Sequence, residues 1–199
     1  MEYMRLNAKQ VMSRHEKALS RKENFRDLYE DAYEFALPQR NLYDGHWEGK
    51  VGGQKKMDRV FDSTAINSTQ RFANRMQSGI FPPQRKWCRL EPGSDIPEDR
   101  QAEAQLALDQ YSDKLFDTLK QSNFDIAIGE FLLDLSVGTA VMMVQPGDDT
   151  MPVNFIPVPQ YLVSFEEGAN GKVDNVYRRM RIKGEAIQRQ WPDIKIPQA

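Results

Sequence analysis

The chain has 199 residues, 40% hydrophobic and 28% charged, a balance that fits a globular protein long enough to bury a sizeable core. No run approaches the roughly 18 apolar residues that span a bilayer. The start, MEYMRLNAKQ, has neither the apolar centre of a signal peptide nor the acid-poor, Ser-rich character of a transit sequence, so a soluble intracellular protein is expected. One cysteine, Cys88, forbids an internal disulfide, and two isolated histidines, His15 and His46, leave little for a zinc site.

Net charge is only −2, but it is segregated. Residues 1–90 carry 17 Lys and Arg against 11 Asp and Glu, residues 91–171 carry 3 against 15, and residues 172–199 carry 7 against 3. Such blocks are either an oriented field that meets a partner of opposite sign or segments that folding mixes.

In chain order, residues from Met4 to about Leu37 read as one long helix, with Phe25, Leu28, Tyr29, Ala32 and Phe35 or Ala36 at helical spacing and Pro38 as its stop. The segment QRNLYDGHWEGKVGGQKKM holds four glycines and reads as an extended loop. A loop of roughly 20 residues is uncommon in a compact domain unless it contacts something, and its Tyr43 and Trp47 suggest docking onto a surface. A second helix should start after Asp62-Ser63, either of which can cap it, with Ile66, Thr69, Phe72, Ala73 and Met76 on one stripe. Gly79 could end it in the left-handed conformation, and Pro82-Pro83 prevents resumption.

After WCRLEPGSD, read as a short strand and turn, Pro97 opens a third helix to about Gln121, with Leu108, Tyr111, Leu115 and Leu119 inward. NFDIAIGEFLLDLSVG is a fourth, more apolar helix closed by Gly138. The period then changes to that of strands: TAVMMVQ, a PGDD turn, MPVNFIPVP, and a hairpin of YLVSFEE and KVDNVYRRMRI about GANG, with Val173, Val176 and Met180 or Arg179 competing for its inner face. A helical turn, GEAIQRQW, stops at Pro192. Helices followed by strands predict an α+β fold: a long N-terminal helix and three further helices packed with a small, mostly antiparallel sheet. A single domain is expected, mainly helical over 1–139, a β meander over 140–183, and a helical turn and tail over 184–199.

Catalytic motifs are missing from the sequence. GKVGGQKK lacks the Gly-Lys-Ser/Thr ending of a phosphate loop, Asp148-Asp149 reads as a hairpin tip, and no strained turn of the Gly-x-Ser-x-Gly kind presents a nucleophile. No enzyme activity, metal or cofactor is expected. Glu103, Asp109, Asp113 and Asp117 on the third helix include an i, i+4 series, which is either a solvated face or one that meets a basic neighbour. Arg178, Arg179 and Arg181 lie on a strand whose alternation separates Arg178 from the other two, a weak candidate for nucleic-acid contact and otherwise a charged edge.

The succession YEFALPQRNLYD, DSTAINSTQRFANRMQSGIFPPQRKWCRL, LFDTLKQSNFDIAIGEFLLDLSVGTAVMMV and FIPVPQYLVSFEEGANGKVDNVYRRMRI resembles the N-terminal part of the portal protein, or head-to-tail connector, of short-tailed bacteriophages. The helix-to-GIFPPQRKWCRL junction is its most specific element. The resemblance implies a ring, usually a dodecamer, that replaces one capsid pentamer, docks the terminase motor, passes double-stranded DNA without sequence-specific binding, and later holds tail adaptors. Its implied partners are other copies of itself, the major capsid protein, terminase and tail adaptor proteins, with no membrane. Its implied location is the virion head-tail junction, with host cytoplasm during assembly.

Family members are longer, with stem and clip regions that have no counterpart here. The chain is therefore expected to be the wing portion, from a fragment rather than a natural truncation, and DIKIPQA agrees with an arbitrary end. Interface candidates are Tyr43, Trp47, Arg71, Arg75 and Arg85, the three arginines pairing with acidic residues of the third helix within the subunit or on its neighbour. The alternative is a stand-alone nucleic-acid-binding module using the basic first 90 residues.

Overall fold

In the computed structural model, residues 7–40, 59–83, 85–180 and 182–191 are described, without the side chain of residue 190. They form an α+β fold of α1 (Ala8–Glu23), α2 (Arg26–Ala36), α3 (Thr64–Ile80), α4 (Glu98–Gln121), α5 (Phe124–Val137), strands β1 (Val141–Pro146), β2 (Val153–Val158), β3 (Val163–Glu167) and β4 (Val173–Arg178), and α6 (Gly184–Gln190). The chain folds as two compact units: one from Glu23 to Tyr161, the other from the residues up to Lys22 together with those from Leu162 onward.

The helical unit is organised on α5. Ala73, Phe124, Ile128 and Leu132 are buried together, and Met76, Phe81, Trp87, Leu119, Met142 and Phe155 pack on them. A second cluster, Tyr33 and Leu37 with Tyr29, Val137 and Tyr161, joins the first through Leu133. α5 can serve two clusters because its sequence is apolar on more than one side, as its composition suggested. β1 and β2 pair antiparallel, from Val141 opposite Val158 to Pro146 opposite Val153. Their turn depends on Gly147: an added Cβ would lie 1.7 Å from the Met151 carbonyl oxygen. Asp148 is a turn residue, its Oδ1 accepting from the Thr150 and Met151 amides at 2.9 Å each.

In the other unit, α1 and the β3–β4 hairpin are tied by polar contacts. Glu166 accepts from Arg14 Nε at 2.9 Å, from Tyr177 Oη at 2.7 Å and from Asn175 Nδ2 at 3.0 Å. Lys22 Nζ donates to the Val163 carbonyl at 2.9 Å, and His15 meets the Tyr177 ring edge-on. Gly171, at φ 72°, supplies the left-handed residue of the hairpin turn.

Several sequence expectations are corrected. The N-terminal helix is two helices, interrupted at Asn24-Phe25; asparagine is a weak helix former, and the apolar period persists across it. On α2 the inward stripe is Tyr29, Tyr33 and Leu37, so Tyr29 of the expected stripe packs inward while Phe25, Leu28 and Phe35 are exposed. On α4 the stripe runs through Ser112 and Phe116, leaving Tyr111 60% exposed and Leu115 also exposed. α3 is capped by Asp62, whose carboxylate accepts from the Thr64 amide, and it runs through Gly79 to Ile80 without a left-handed residue.

WCRL is not a strand, because its backbone pairs with side chains: the Leu90 amide donates to Ser112 Oγ at 3.2 Å and Gln105 Nε2 donates to the Leu90 carbonyl. The four strands form two separate two-stranded sheets rather than one meander. On the hairpin, Val173, Val176 and Met180 are exposed while Asn175 and Tyr177 reach Glu166. Two-residue alternation gives two faces but does not say which is inner.

Candidate functional site

The residues singled out in the sequence fall into three places. Tyr43, Trp47 and Arg181 lie outside the described residues. Arg178 ends β4 opposite Val163 and is half-buried, and the adjacent Arg179 is exposed. Arg71, Arg75 and Arg85 belong to the helical unit.

Arg71 and Arg75 are one turn apart on α3, on the side away from the buried Thr69 and Ala73. Thr64, Asn67, Ser68 and Ser78 complete that exposed face, and α3 contains no acidic residue. Arg85 is exposed beyond the helix, in the turn closed by its own amide donating to the Pro82 carbonyl at 3.2 Å. Among the described residues, none of these three guanidiniums has an acidic partner, so the intrachain pairing with α4 does not form there.

Two other cations take those acids. Lys86 pairs with Asp113, and Arg89 grips Asp109 with Nε and Nη2, both at 2.9 Å. With Gln105 Nε2 also donating at 2.8 Å, the Arg89 hydrogen bond first of all holds the Asp109 carboxyl below its ordinary range. The groove over Trp87 and Cys88 between these pairs, about 540 Å³, therefore presents neutralised charge. Sequence reasoning missed Lys86 and Arg89 as the partners. The signal was their spacing along an extended segment against i, i+4 acids, legible only once α4 is known to lie beside it.

A buried ion pair anchors the end of α2 to α5. Arg40 donates Nε and Nη2 to the two oxygens of Asp134 at 3.0 and 2.8 Å, and Nη1 to Glu130 at 2.9 Å. The Asp134 side chain is 2% exposed, and burial raises its carboxyl above the ordinary value despite the guanidinium. Exposed Arg59 similarly ties Asp31 and Glu34 of α2. Among the described residues no group of three His, Cys, Asp or Glu side chains could hold a metal ion, and no helix is long and apolar enough to cross a membrane.

What the helical unit offers is surface: fixed charge on helix faces, held on a packed α5 core. The sequence of residues 8–199 matches the family described as bacteriophage head to tail connecting protein, and the chain belongs to that family. The family is structural, which makes the chain a component of the connection between phage head and tail. A search of curated proteins finds no match.

Proposed function

We propose that the chain is the wing portion of a portal subunit that assembles into a ring at one capsid vertex. The ring passes double-stranded DNA during packaging and ejection, docks the packaging motor, and holds the tail adaptors. The observation that carries this reading is the family match over residues 8–199. The unneutralised charge on α3 supports it secondarily, since a face of exposed cations without intrachain partners suits contact with another body. Work on the conduit belongs to the motor's ATP hydrolysis, and the subunit contributes geometry and packing. Electron microscopy of the full-length protein tests the reading: rings with a central hole are expected, and any other assembly overturns it.

The acid-free outer face of α3 also suits phosphate, which favours the second reading, a nucleic-acid-binding module. Duplex DNA binding at two salt concentrations separates them. Phosphate contacts predict a steep fall in affinity with salt, and the wing reading predicts little binding at either.

A further inference from the structure

We infer that neighbouring copies meet through two different helices, the Arg71–Arg75 face of α3 in one copy seated on the Asp99–Glu103–Asp117 face of α4 in the next; this rests on the ring reading above. Arg71 and Arg75 repel one another across a single turn, and among the described residues nothing in their own chain neutralises them. α4 carries the opposite imbalance, six acidic residues against three basic ones. Asp99, Glu103 and Asp117 lie on the side of α4 away from the buried Ser112 and Phe116. The cations that reach α4 from the preceding segment, Lys86 and Arg89, are already engaged by Asp113 and Asp109. The helical unit therefore holds a basic face on α3 with its two charges one turn apart and, on α4, a face whose Asp99, Glu103 and Asp117 form no ion pair among the described residues, although Lys114 and Lys120 each stand three residues from Asp117.

Leu106 adds exposed apolar area beside those acids. It is 69% exposed and lies along the acidic face between Glu103 and Asp117. An apolar group inside a charged rim is a common arrangement in protein interfaces. Two unlike, complementary surfaces on one molecule make a heterologous contact, which repeats from copy to copy and gives a ring where the rotation closes, rather than stopping at a two-fold dimer. Duplex DNA would satisfy Arg71 and Arg75 but leave the acidic face without a partner.

The test uses the full-length protein, Arg71→Glu/Arg75→Glu, Glu103→Arg/Asp117→Arg and an equimolar mixture of the two variants, with circular dichroism checking the fold and sedimentation reading assembly size. Each variant alone should weaken assembly by at least about tenfold, because like charges then face each other. Mixing should restore it, since in an alternating ring every α3–α4 contact regains opposite signs. Wild-type assembly with unimpaired variants would overturn this interface and leave the ring reading standing. Variants that stay dissociated on mixing would overturn the pairing, and loss of duplex binding with assembly intact would assign the arginines to phosphate. A wild-type protein that never assembles would remove the ring reading itself.

Discussion

Asn123 holds both main-chain polar atoms of Phe155: its Oδ1 accepts from the Phe155 amide at 2.8 Å and its Nδ2 donates to the Phe155 carbonyl at 2.7 Å. A two-stranded sheet leaves each strand one unpaired edge. At Phe155 the side-chain amide at the α4–α5 corner does for β2 what a third strand would do. It also fixes where the sheet lies on α5, because the Phe155 ring packs on Phe124, the next residue after Asn123.

Asn123→Ala should therefore cost about 2 kcal/mol, two net hydrogen bonds. Asn123→Asp, which keeps the acceptor but sets a carboxylate oxygen against the Phe155 carbonyl, should cost at least as much. Denaturant unfolding measures the cost, and hydrogen exchange at the Phe155 amide localises it. An unchanged exchange rate in the alanine variant would disprove the clamp.

Arg40 and Asp134 should behave as a coupled pair. Removing the guanidinium leaves a buried carboxylate with only the Tyr33 hydroxyl, at 3.4 Å, to compensate it, so Arg40→Leu should cost about 3–5 kcal/mol. Arg40→Leu combined with Asp134→Leu should cost less than Arg40→Leu alone, because no charge then remains to be desolvated. Additive losses in a double-mutant cycle would show that the pair is not coupled.

Trp87 sits among rings: edge-on to Phe81 at 5.0 Å and Phe116 at 5.4 Å, and stacked on Phe124 at 5.9 Å. It is half-buried, so Trp87→Ala should cost about 3 kcal/mol, the low end for a core tryptophan. Trp87→Phe should recover most of that loss through the remaining edge contacts. A loss below about 1 kcal/mol, typical of a surface position, would contradict this packing.

Glu166 gives the unit of α1 and the hairpin an acid sensitivity. The Tyr177 hydroxyl first, then Arg14 and Asn175, hold its carboxyl below the ordinary value of 4.5. A carboxyl with a lowered folded pKa contributes stability that is fully present above the unfolded value and is lost as pH falls through the folded one. Amides of α1 should therefore stay protected at pH 6 and lose protection in the acid range below 4.5. Glu166→Gln should flatten that dependence while lowering protection at neutral pH. An unchanged acid profile in the glutamine variant would remove Glu166 as its source.

The helices of the central unit were legible because capping residues, prolines and a 3.6-residue apolar period are local signals. Asp62 before α3, Pro97 before α4 and Gly138 after α5 mark boundaries found in the structure. The error at Asn24-Phe25 arose because periodicity persists across a two-residue interruption. The candidate surface was half legible. Arg71 and Arg75 could be placed on a helix, but Lys86 and Arg89 as the partners of Asp113 and Asp109 could not, since that pairing joins separate elements.

By itself the sequence determined the α+β class, the succession of helices followed by strands and the connector family, all of which rest on residue patterns along the chain. Tertiary structure alone decided that Tyr33 rather than Phe35 faces inward, that the four strands pair two by two, and that Asn123 closes the edge of β2. It also decided which charges α4 keeps. Periodicity defines a face, but only packing against another element chooses which face is buried, and a hydrogen bond or ion pair exists only when both partners are brought to the same place.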